Sequence, residues 1–223
     1  MKFHTLVSAV AGVAILTTGA AAQVCQGDLS FRGSSKHLGA AVGMTDNATS
    51  FGAGLAVGHS KGWFGGGSVG MSSYDNNGGS SVGLGGGIGY AMPMAQKSKW
   101  QMCPGGSLSL GFGPNFDVAG ASTHISTQTM ALGLSLGTAA PMSKTVNLLP
   151  FVSASVAHTR VAAKVNGTTN SASDNYMLLG MGVGFQFSPS LVIRPSFSLA
   201  AGVDNNIVDD TVFGLGITWA LRH

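Results

Sequence analysis

The chain has 223 residues, of which only 9% are charged and 35 are glycine, with a formal net charge of +3 and no glutamate. A soluble globule carries about 25% charged residues, and a disordered chain has more charge and fewer large apolar side chains, so both classes are excluded. The small positive excess includes Lys2 and implies no nucleic-acid partner.

Lys2 and His4 precede the apolar run Leu6 to Leu16, and small residues follow as far as Ala20-Ala21-Ala22. This is the pattern of a signal peptide cleaved after Ala22, so residues 1–22 are expected to leave an exported chain. The run is too short for a membrane anchor. Val24 stands where a lipid-attachment signal needs a small residue, which argues against lipidation of Cys25. Residues 23–35 show no period and read as an N-terminal periplasmic arm, and 36–223 form one further domain.

Strands are expected at about 37–44, 51–59, 62–73, 81–92, 101–113, 124–138, 147–163, 175–188, 191–203 and 211–221, with turn chemistry between them. Ten is an even number; eight stays open if 37–59 pairs differently. The alternation is strictest in the last strand, where Phe213, Leu215, Ile217, Trp219 and Leu221 oppose Gly214, Gly216, Thr218 and Ala220. Met177, Leu179, Met181, Val183, Phe185 and Phe187 likewise oppose Gly180, Gly182, Gly184, Gln186 and Ser188. A soluble β-domain turns its bulky face inward and its charges outward. Here the second face is tiny and almost uncharged, so lipid is the expected solvent of the bulky face. Pro195 removes a ladder donor inside its strand and predicts a bulge or a late strand start there.

If both termini lie on one side, the connections at 45–50, 74–80, 114–122, 165–174 and 204–209 lie on the other. Every acidic residue after the leader except Asp28 falls at that second side, counting Asp210 beside its last connection. The first side carries Lys36, Lys61, Lys97, Lys99, Lys144 and Arg222, with Arg194 near its rim, and only Arg160 and Lys164 break the separation. Trp63, Tyr90, Trp100 and Trp219, with Phe185 and Phe187, also gather on the basic side. There an aromatic girdle can keep its rings in lipid and its polar atoms in water. The basic side is therefore read as periplasmic with short turns, and the acidic side as external with longer loops.

Exported, glycine-rich, dyad-patterned and closing on an aromatic strand, the chain resembles the small bacterial outer-membrane β-barrels of the OmpA/OmpX-like group. The resemblance implies an all-β, antiparallel, up-and-down transmembrane barrel in the bacterial outer membrane. It also implies outer-membrane lipid, lipopolysaccharide and the assembly machinery as partners, and a monomer. The segment Gly214 to Leu221 looks like the C-terminal assembly signal of such proteins, carried by Gly216, Trp219 and Leu221.

Cys25 and Cys103 both fall toward the oxidising periplasm, which predicts a disulfide that ties the arm to the lumenal rim. Arg194 is the expected lumenal charge. His124 and Ser126 match lipid A deacylases at one short motif, but read as an interfacial polar pair because the chain has no glutamate to orient the histidine. No catalytic residue, cofactor or metal is assigned. The sequence leaves two functions: a narrow channel for small solutes, or a non-conducting surface protein whose outer loops bind a partner.

Overall fold

The computed structural model describes residues 23–31, 35–75, 79–94, 99–118, 121–165, 167–203 and 211–221. The expected signal peptide lies outside the described residues. Ten strands form the wall: β1 (Lys36–Met44), β2 (Ala48–Gly58), β3 (Trp63–Tyr74), β4 (Ser80–Tyr90), β5 (Trp100–Val118), β6 (Ala121–Thr138), β7 (Asn147–Val165), β8 (Thr168–Ser188), β9 (Leu191–Ala201) and β10 (Thr211–Ala220). Each pairs antiparallel with the next, and β1 pairs with β10 from His37↔Ala220 to Met44↔Phe213. The sheet thus closes into a ten-stranded up-and-down barrel. Closure leaves no open edge, which is the condition for a sheet to stand in lipid. Among the described residues no helix is long and apolar enough to cross a membrane.

The two faces follow the dyad read from the sequence. Outward lie Leu38, Phe51, Leu55, Val69, Leu84, Ile88, Leu132, Val156, Met181, Phe213 and Trp219, all large and exposed. A soluble protein does not show an unbroken apolar belt of this kind, and lipid contact accounts for it. Inward lie small side chains such as Ser50 and Ser72, whose hydroxyls meet at 2.7 Å. Toward the end opposite the termini, Thr129, Thr159 and Tyr176 are linked by hydroxyl contacts of 2.8 and 2.9 Å. Ile125, Val161 and Ala200 pack in the same buried cluster.

Strand lengths differ around the ring. Strands β5 to β8 run 18 to 21 residues and the other six 9 to 12. Crossing the hydrocarbon takes about 9–11 residues of tilted strand, so the four long strands rise well beyond their neighbours. They do so at the end away from the termini, where β5 outruns its last pair with β4, Val82↔Phe112, and β8 extends past Met177↔Ala201.

Three expectations about the connections need correction. The loops expected at 114–122 and 165–174 are largely strand, pairing to Val118↔Ala121 and to Thr168↔Val165. The tight turn before Thr168 requires the left-handed backbone of Gly167, φ 84°. Nor does loop length separate the two ends. At the end bearing the termini, the connection after Tyr90 begins with the two-residue strand Met92–Pro93, and residues 139–146 hold another, Ala140–Pro141, so the connections there are not short turns. Finally, β9 passes through Pro195 without a bulge. Pro195 pairs with Leu215 on one side, its missing donor coincides with a gap in the pairing to β8, and the register shift lies farther along at Gln186/Ser188.

Candidate functional site in the barrel lumen

The N-terminal arm does not stand free at the barrel mouth. Val24–Gln26 make a single 3-10 turn, closed by the Gly27 N–H donating to the Val24 carbonyl at 3.0 Å, with Gly27 at φ 70°. That turn sits inside the ring, against inward-facing residues. Cys25 is fully buried and disulfide-bonded to Cys103, with a Cα–Cα distance of 6.0 Å. The expected bridge therefore forms, and it fixes the arm to β5 on its lumenal face. Phe31 stacks on the His37 ring at 4.4 Å and lies beside Phe64 at 6.4 Å. Leu29 packs with Leu149, Val192 and Ala220 from three other strands.

Missing side chains on the wall make room for this backbone. A Cβ at Gly184 would strike the Gly27 carbonyl oxygen, and one at Gly137 would lie 2.9 Å from the Cys25 Cα. The glycine face, too small to fill a ten-stranded interior by itself, is in part a cradle for the arm.

Asp28 is the polar centre of the contact. It has no exposed surface, its Oδ1 accepts the Leu29 N–H at 2.8 Å, and its Oδ2 accepts the Thr218 hydroxyl at 2.8 Å. Arg194 Nη1 lies 3.5 Å from the same Oδ2 and donates to the Gln26 carbonyl at 2.9 Å. The guanidinium also sits 5.8 Å over the Phe151 ring. Burial pushes the Asp28 carboxyl above its ordinary range, opposed first by the Arg194 charge and then by the bonds from Thr218 and Leu29. Arg194 lies beside the cavity, and its field is met by the carboxyl group of the arm. Asp28 escaped the sequence reading as a functional residue. Its signal was there: it is the single acid on the basic side of the chain.

Beyond the arm, the lumen keeps a cavity of about 180 Å³ whose lining includes Gln26, Ser107, Ser135, Ser153, Ser196 and Arg194. The Ser135 Oγ and Gln26 Oε1 are buried without a protein partner. The lining is mixed: serine hydroxyls and Arg194 share it with Phe64, Phe151 and glycine backbone, and Gln26 brings the arm to it.

The other residues singled out in the sequence lie outside this site. Trp63 meets Tyr90 edge-on at 4.9 Å, and Trp63, Trp100 and Trp219 are exposed on the outer wall at the end bearing the termini. Gly216 faces inward, where a Cβ would lie 3.7 Å from Arg194 Nη2, while Leu221 continues the wall by donating its N–H to the Lys36 carbonyl at 2.9 Å. His124 and Ser126 stand on the outer face of β6, opposite Lys164 and Ala162 of β7.

Residues 8–220 match the family model described as the outer membrane protein beta-barrel domain. The chain belongs to that family. Its place is the bacterial outer membrane. Solved structures similar to it include Ail, the attachment invasion locus protein of Yersinia pestis, at 16% identity over 83% of this chain and 95% of that one, with a TM-score of 0.39. The N-terminal β-barrel domain of Pseudomonas aeruginosa OprF is 15% identical over 85% of this chain and all of its own, with a TM-score of 0.38. The outer membrane protease OmpT from Escherichia coli is 7% identical over 86% and 99%, with a TM-score of 0.49. Among curated proteins none matches the chain.

Proposed function

We propose that this family member is a non-enzymatic, monomeric outer-membrane barrel offering a narrow passage to small hydrophilic solutes, held shut by its own N-terminal arm. The basic, tryptophan-bearing end and both termini face the periplasm. The C-terminal stretch with Gly216, Trp219 and Leu221 is the part presented to the assembly machinery. The observation that carries the reading is the fully buried Asp28, bound to Thr218 and facing Arg194 of the wall. A merely disordered leader remnant would not bring a matched carboxylate into a lumen lined by serine and glycine. The cavity, lined by serine hydroxyls as well as apolar groups, suits water and small uncharged solutes, since Arg194 faces Asp28 while the arm is docked.

The test is planar-bilayer conductance of the mature full chain and of a chain lacking residues 24–35. Silence from the first and discrete openings from the second are expected. Equal silence from both overturns the channel reading. It leaves a non-conducting surface protein, a second reading favoured by the four strands that rise beyond the rest of the wall.

A further inference from the structure

The arm uses only one nitrogen of the Arg194 fork. Nη1 serves both contacts, donating to the Gln26 carbonyl at 2.9 Å and lying 3.5 Å from the Asp28 Oδ2. Nε and Nη2 have no partner among the described residues. They lie over Gly216, where a Cβ would stand 3.7 Å from Nη2 and 3.8 Å from Nε. Gly216 is the direct register partner of Arg194 across β9 and β10, so the position opposite the guanidinium has no side chain to cover that edge. Both residues line the cavity, and among the described lining residues Arg194 is the one charged side chain.

The open edge selects a chemistry. A guanidinium holds a carboxylate best through two parallel N–H to oxygen bonds, and Nε with Nη2 forms one of the edges that can make them. The Asp28 contact is poorer, since one nitrogen meets one oxygen at 3.5 Å, beyond the about 2.7–2.9 Å of a strong charged bond. A lone cation facing an enclosed space of low dielectric draws anions into it. Ser196 and Ser198 continue the inward face of β9 beyond Arg194, opposite Gly214 and Val212 of β10, and both line the cavity. The cavity of about 180 Å³ has room for about six water-sized groups at roughly 30 Å³ each.

We propose that the lumen binds small monocarboxylates, up to the size of lactate, with the carboxylate on the Nε–Nη2 edge of Arg194 and the tail beside Ser196 and Ser198. A second negative charge on the same guanidinium weakens its hold on Asp28, so the bound solute loosens the arm. That loosening rests on the plugged passage given under Proposed function, whereas the site itself does not need conduction.

Binding of L-lactate to the mature full chain in detergent micelles at neutral pH would be followed by saturation-transfer NMR, with acetate, glycerol and inorganic phosphate as competitors. Glycerol matches lactate in size but carries no charge. Displacement by acetate and none by glycerol at equal concentration is expected. Arg194→Lys should weaken lactate binding roughly tenfold, because an ammonium offers no fork and one charged bond is lost. Asp28→Asn should strengthen it, since the competing charge is gone, and lactate but not glycerol should speed protease cleavage of the arm. Equal displacement by acetate and glycerol, or undiminished binding by Arg194→Lys, overturns the site. Phosphate displacing lactate better than acetate does overturns the carboxylate assignment, and binding without faster cleavage overturns the loosening. Equal silence of the full and truncated chains in bilayers overturns the channel alone and leaves the binding result standing. If Arg194→Lys fails to fold, the wild-type comparison of acetate with glycerol still decides.

Discussion

The carboxylate of Asp28 lies 3.5 Å from the guanidinium of Arg194, and through this pair the N-terminal arm is held by β9. Arg194 is itself mostly buried, its side chain 13% exposed. Removing one partner therefore strands the other in a place poor in water. Asp28→Ala should destabilise arm docking by about 3 kcal/mol, seen as frequent channel opening and faster cleavage of the arm by protease. The barrel itself should keep its heat-dependent electrophoretic mobility. Arg194→Ala in the Asp28→Ala background should recover part of the loss, because no uncompensated charge is left.

The same carboxyl makes docking depend on pH. Its pKa is raised in the docked arm, chiefly by burial. Between the ordinary carboxylate value and the raised one the docked arm therefore binds a proton that the free arm releases, and above that window Asp28 is the ionised partner of Arg194. Docking is therefore strongest below the ordinary carboxylate range and weakens as pH rises through the elevated value. Open probability measured across a pH series should increase toward alkaline pH, and Asp28→Asn should flatten that slope. An opening that grows on acidification would contradict the assignment.

Reduction tests the covalent tether. The Cys25–Cys103 bridge closes a separation of 78 residues, and a released arm regains the freedom that the bridge removed. Treatment with a thiol reductant, or Cys25→Ser/Cys103→Ser, should raise the rate of arm proteolysis and the fraction of time spent open. Strand content by circular dichroism should not change.

Crowding the cradle should have the same outcome by a different route. Gly184→Val places a branched side chain where the Gly27 carbonyl now lies. Overpacking costs about 1–3 kcal/mol, so the undocked fraction should grow by roughly fivefold to a hundredfold, with the outer wall intact. A variant that stays as silent as the parent would show that the arm has room to shift.

Most of the wall is legible in the sequence because two different solvents mark its two faces. Residues such as Phe213, Leu215 and Ile217 alternate with Gly214 and Gly216 for as long as lipid lies outside, and all ten strands announce themselves in that zone. The signal fails where lipid ends. In Thr168 to Asn175 both faces are polar or small, so strand and loop read alike, and only pairing with Lys164, Ala162 and Arg160 makes the segment a strand. The arm is illegible for a related reason. Gln23 to Phe31 is too short for any period, and its conformation is dictated by the shape of the cradle formed by Gly137, Gly184 and Phe151. The disulfide was legible because two cysteines in an oxidising compartment leave one partner each. The Asp28–Arg194 pair was not, since nothing local links positions so far apart in the chain.

Closure between β1 and β10 has a consequence for the order of events in assembly. Thr218, which holds Asp28, lies on the last strand to be made, and Cys103, which holds Cys25, lies near the middle of the chain. The Cys103 tether needs no contact with β10, so it permits the arm to be bound to β5 before β10 meets β1. A ring closed in that order encloses the arm, and a narrow mouth then never has to admit it.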